Sequence, residues 1–129
     1  MHKGFIKTAA ILGAISVALG AFGAHTLKQL IKDDVLSIFE TGVRYQFYHV
    51  FALFAAGILY KDFSNRQLKW AGVFFIAGII FFSGSLYFLT YVKGSESQGY
   101  NWIGAITPFG GLFFIFGWAC LFAAIIKNK

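Results

Sequence analysis

Carboxylates are what this sequence has least of. It holds five Asp and Glu residues in 129, and none of them lies inside a long apolar run. That leaves no acidic proton relay and no paired-carboxylate acid–base site at membrane depth. Charge of either sign is scarce: 12% of residues are charged, about half the fraction usual in a soluble domain. So small a chain cannot cover itself with a wetted surface from so few polar residues. A single cysteine, Cys120, rules out an intrachain disulfide, and nothing beside it suggests a metal site. Neither G-x-S-x-G nor H-E-x-x-H occurs. No enzyme, cofactor or metal is expected from these residues.

What the chain has instead is apolar length. Hydrophobic residues make up 58% and aromatics 20%, mostly phenylalanine. A helical membrane span takes roughly 20 mainly apolar residues. Four runs approach or exceed that, over about 8–24, 43–60, 70–91 and 102–126. The expected fold is therefore all-α and integral to a membrane, a single domain over 1–129 built as a four-span bundle. The loop "KDFSNRQLK" is short, which implies antiparallel neighbours.

The net charge of +6 does not point to nucleic acid, because the basic residues form no stripe or block. They sit at the ends of the apolar runs. With four spans, one side carries Lys3, Lys7, Lys61, Arg66, Lys69, Lys127 and Lys129 against Asp62. The other carries Lys28, Lys32, Arg44 and Lys93 against Asp33, Asp34, Glu40 and Glu96. The positive-inside rule then places both termini in the cytoplasm of a cell-membrane protein.

The amino end admits two readings. "MHKGFIKTAAILGAISVALGAFGAH" has the lysines, apolar core and small residues of a secretory signal cleaved after Ala24. Yet Ala10, Ala14 and Ala18 form one helical stripe, and Ser16, Gly20 and Ala24 another. Small residues every fourth position let membrane helices approach closely, which favours a retained span. Such Gly/Ala faces suit a second copy of the chain or a membrane-protein partner, with the lipid bilayer as the remaining partner. Between spans one and two, Leu27, Leu30, Ile31, Val35, Ile38 and Phe39 share a helical face. A short amphipathic helix is expected there, started by a capping box at Thr26 and Gln29 and lying either in the membrane interface or folded onto the bundle.

In span four, Pro108 deprives the Gly104 carbonyl of its helical partner. Gly104 and Gly111 share one face, Gly110 and Gly117 another. The stretch "TGVRYQFYHV" is polar at the mouth of a lipid-grade helix. Glu40 precedes Arg44 by four, the favourable order for an ion pair. Tyr45 and His49 are also four apart, above Ala52 and Ala56, so His49 should face the bundle. Under the four-span topology, His25, Arg44, Tyr45, Gln46, His49, Ser83, Ser85, Tyr87 and Thr107 all gather in the outer half. Polar groups at that depth should face one another or water. One reading is interhelical stapling, worth about 0.6–2 kcal/mol per bond. The other is a site for a polar or amphiphilic ligand, in a small transporter or binder. Two histidines could in principle ligate haem, but His25 at a helix end and a deeper His49 make an awkward axial pair.

The stretches "LGAFGAHTLK", "FETGVRYQFYH", "FSGSLYFL" and "ITPFGGLFFIFGW" resemble uncharacterised protein family 0382, also called domain of unknown function 423. The eukaryotic transmembrane protein 256 is similar. The resemblance spans nearly the whole chain and implies a multi-pass membrane protein of about four spans. It implies no activity. Its motif residues include His25, Arg44, Tyr45, Gln46, His49, Ser83, Gly84, Ser85, Tyr87, Thr107 and Pro108.

Overall fold

The computed structural model describes residues 1–127. Lys129, one of the lysines assigned to the cytoplasmic side, lies outside the described residues. Four helices follow one another: α1 over Lys3–Leu30, α2 over Asp33–Leu59, α3 over Arg66–Gly94 and α4 over Ile103–Ile126. Among the described residues there is no strand.

Three of the four, α1, α3 and α4, are long and apolar enough to cross a bilayer. The expectation of four spans is met only that far. Helix α2 is 27 residues long, but Asp33, Asp34, Glu40 and the polar run from Arg44 to His49 dilute it. The helices also run past the expected bounds, and the separate amphipathic helix is not formed. Its residues divide between the last turns of α1 and the first turns of α2, on either side of extended backbone at Ile31 and Lys32. Asp33 and Asp34 open α2, where the positive end of the helix dipole favours carboxylates. Thr26 caps nothing; it lies inside a π-helical turn over Gly23–Leu27.

The ends are fastened by side chains. The His2 imidazole caps α1, its Nδ1 accepting from the Phe5 amide at 3.1 Å, while the His2 amide donates to the Gly57 carbonyl of α2 at 2.8 Å. Asn65 caps α3 through Oδ1, which accepts from the Leu68 amide at 2.9 Å, and its Nδ2 donates to the Ala124 carbonyl of α4 at 2.8 Å. Each bond satisfies a backbone group that a helix end leaves free. Together they gather the start of α1, the end of α2, the start of α3 and the end of α4 at one terminal end. The Ile31–Lys32 break and the α3–α4 loop lie at the opposite, distal end.

The core is built from phenylalanine set against glycine. Phe75 of α3 packs over Gly117 of α4, and Phe114 of α4 packs over Gly78 of α3. At Gly110 the backbone of Phe82 comes closer than any β-carbon would allow. The Gly110/Gly117 face therefore meets α3, whereas Gly104 faces open space. On α1, Ser16 is buried and Gly13, Gly20 and Gly23 look toward Val50, Val43 and Phe39 of α2. Ala10, Ala14 and Ala18 are exposed.

Substituting Gly110 by Val forces α3 and α4 apart, at about 1–3 kcal/mol or more. Thermal unfolding in detergent should show a clear fall in Tm for this variant, while Gly104→Ala stays within about 0.5 kcal/mol of the parent.

Candidate functional site: a polar network closed on itself

Helix α2 supplies the central stripe. Gly42, Gln46 and His49 fall at spacings that share one helical face, and all three are buried. Gln46 is 2% exposed and bridges three helices. Its Nε2 donates to the Leu12 carbonyl of α1 at 3.2 Å, and its Oε1 accepts from the Tyr87 hydroxyl of α3 at 2.6 Å. The Leu12 carbonyl also takes the Ser16 hydroxyl at 2.7 Å.

Helix α3 reaches both neighbours because of a local irregularity. A π-helical turn spans Ile79–Ser83, and the Gly84 amide bonds the Ile79 carbonyl five residues back. Such a turn admits an extra residue and rotates the side chains beyond it to a new face. Ser83 Oγ donates to the Gly42 carbonyl of α2 at 2.7 Å. Ser85 Oγ donates to the Phe82 carbonyl at 2.9 Å and lies 2.7 Å from Thr107 Oγ1 of α4. A β-carbon on Gly42 would come within 2.8 Å of the Tyr87 ring, so glycine is needed for both contacts.

His49 joins α2 to α4. Its Nδ1 lies 2.7 Å from the Tyr45 carbonyl, and Trp118 Nε1 donates to its Nε2 at 3.1 Å. A carbonyl can only accept and an indole N–H can only donate, so these partners select the neutral tautomer protonated at Nδ1. The imidazole stacks on Phe114, with centroids 3.5 Å apart and planes 8° from parallel.

Of the nine candidate residues, Gln46, His49, Ser83, Ser85, Tyr87 and Thr107 join helices through hydrogen bonds. Tyr45 adds its carbonyl, and its ring packs on Phe82 at 4.8 Å. Arg44 and His25 stand apart: both are exposed, and His25 sits on the π turn of α1. The Glu40–Arg44 ion pair is not formed; the two side chains line a groove beside α1 instead. Nor do the polar groups share one depth. Thr107 and Trp118 are eleven residues apart on α4, roughly 16 Å at 1.5 Å per residue. His49 therefore belongs to a mid-bundle level with Phe75 and Phe114.

Sequence reasoning missed Trp118, Ser16 and the acceptor carbonyls of Leu12 and Gly42. Trp118 had a signal: an indole N–H in an apolar helix needs an acceptor. Backbone acceptors had none. Among the described residues, no buried side-chain nitrogen or oxygen lacks a partner. No cluster of three or more His, Cys, Asp or Glu there could hold a metal. A lateral groove of about 500 Å³ between α2 and α4 has His49, Tyr45 and Trp118 in its lining.

The family described as "Protein of unknown function (DUF423)" matches residues 19–111. The chain belongs to this family. The DUF423 match takes in both π turns and the Gln46–Tyr87 pair, and begins after Leu12. Relatives called UPF0382 membrane proteins are similar along the whole chain. One from Staphylococcus aureus is 42% identical over 125 residues, covering 97% of each chain. One from Bacillus subtilis, YwdK, is 41% identical over 126 residues, covering 97% of this chain and 98% of its own. No solved structure matches. The chain is thus a membrane protein of a family whose biochemical role is unknown.

Tyr87→Phe leaves the Gln46 carbonyl oxygen without a donor and should cost about 1–2 kcal/mol of unfolding free energy in detergent. Gln46→Leu should cost a similar amount, and the double variant clearly less than the sum, because the unpaired partner is then gone. Strict additivity would contradict the bridge.

Proposed function

We propose that the protein is a non-enzymatic structural or accessory component of the cell membrane, all four helices crossing it with both termini in the cytoplasm. The observation that carries this reading is the closed polar network: each buried polar side chain among the described residues already has its partner. A site that handles a polar solute needs donors or acceptors left over, and stapling needs none. The same network accounts for α2 as a span. Its composition is polar, but Gln46 and His49 are turned inward, and 27 residues reach roughly 40 Å. Charge supports the orientation, with six basic residues toward the terminal end and a balanced set toward the distal end among the described residues. On this reading the Ile31–Lys32 break lies at the membrane interface, with exposed Leu30 beside it. The exposed Ala10, Ala14 and Ala18 face of α1 is where a second copy or a membrane-protein partner packs.

The competing role, a small transporter or binder at the cluster, parts from this one at His49. As a staple, His49→Ala strands the Trp118 N–H and opens space against Phe114, lowering stability in detergent by about 1–3 kcal/mol. A variant as stable as the parent contradicts the staple. Reporter fusions after residues 65 and 96 should report opposite compartments, cytoplasmic for 65; a shared compartment contradicts the four-span topology.

A further inference from the structure

The polar network leaves one pair of charges out. Glu40 and Arg44 are exposed side chains on consecutive turns of α2, and both line a groove of about 160 Å³ against α1. The α1 wall of this groove is Gly20, Gly23 and Ala24, so almost no side chain fills it from that side. A β-carbon on Gly20 would meet nothing closer than Val43 at 3.7 Å. Among the described residues, neither the Glu40 carboxylate nor the Arg44 guanidinium has a hydrogen bond or an ion pair, with each other or with a neighbour. The lining holds no other charged residue.

The level of the two charges is set by the helix. Glu40 lies seven residues from Asp33 at the start of α2, roughly 10 Å along its axis, and Arg44 lies eleven, roughly 16 Å. On the four-span reading, on which this inference rests, α2 is longer than the hydrocarbon layer is thick. Both charges then fall at and just beneath the distal headgroups. Ionised groups at that level take partners, and here the chain supplies none.

The partners therefore come from outside the chain, in a fixed order. Arg44 takes an anion, and Glu40 takes a cation roughly 6 Å nearer the surface. A zwitterionic phospholipid presents its charges in that order, with the phosphate next to the acyl chains and the amine outermost. An ethanolamine ammonium also has N–H groups to donate to a carboxylate, a charge-assisted bond that the trimethylated amine of choline cannot make.

We infer that the groove between α1 and α2 holds the headgroup of a phosphatidylethanolamine in the distal leaflet, its phosphate on Arg44 and its ammonium on Glu40. Charge complementarity selects the headgroup, and the small residues of α1 leave it room.

The test uses the full chain purified in a non-ionic detergent and titrated with phosphatidylethanolamine, phosphatidylcholine or phosphatidylglycerol of equal chain length. The first bound lipid is read by native mass spectrometry, and circular dichroism and Tm confirm that each variant is folded. The parent should prefer phosphatidylethanolamine to either other lipid by about tenfold. Glu40→Gln should abolish that preference, and Arg44→Gln should weaken all three lipids alike, since all carry the phosphate. The double variant Glu40→Arg, Arg44→Glu keeps both charges and reverses their order; it should bind phosphatidylethanolamine no better than phosphatidylcholine. The inference is overturned by a parent without headgroup preference or by a preference that survives Glu40→Gln. It is equally overturned by a reversed pair that prefers phosphatidylethanolamine as the parent does, since the charges would then be gathering lipid without orienting it. These outcomes are read in detergent and do not depend on whether α2 crosses; the compartments of residues 65 and 96 test that separately.

Discussion

A polar atom removed from water must find a partner, and in a chain this apolar the partners have to come from neighbouring helices. Gln46 is where that constraint is most concentrated. A primary amide offers both donors and an acceptor. Here the donor side is fixed on a backbone carbonyl of α1 and the acceptor side on a hydroxyl of α3. The residue sets the rotation of α2 relative to two neighbours at once. The Ser83–Gly42 bond reinforces the α2–α3 pair, and the Ser85–Thr107 and Trp118–His49 bonds tie α4 to α3 and α2. Apolar packing alone would let such helices rotate against lipid, which is as apolar as they are.

The two π turns serve the same end. In α3 the turn over Ile79–Ser83 lets serines two positions apart bond α2 on one side and α4 on the other. It coincides with the close approach of Phe82 to Gly110, where the missing side chain makes room for a displaced backbone. In α1 the turn over Gly23–Leu27 begins at a glycine pressed against the Phe39 ring. At both π turns a close approach between helices is thus permitted by glycine.

Much of this was legible in the residues. Hydrophobic runs located the four helices, and small-residue spacing identified the Gly110/Gly117 face. The period of α2 turned His49 inward above Ala52 and Ala56. The failures have physical causes. Amphipathic periodicity over 27–39 reads the same whether the segment is one helix or the ends of two, since both bury the same side. Spacing made Glu40 and Arg44 neighbours, yet exposed ions gain little from pairing, and these remain apart. A π turn leaves no composition signature, so the faces of Ser83 and Ser85 could not be assigned. The single-depth expectation failed because span ends were counted along the chain, whereas Trp118 meets His49 from far down α4.

The central claim is that the network is dry and closed by the protein itself. Water-edited solid-state NMR of the protein in lipid bilayers, with the Gln46 side-chain amide labelled, tests it most directly. The account predicts that magnetisation from water reaches the Gln46 amide far more slowly than the backbone amide of Tyr100 in the distal loop. Equally fast transfer would mean that water or a solute stands where Tyr87 and the Leu12 carbonyl are placed, and would contradict it.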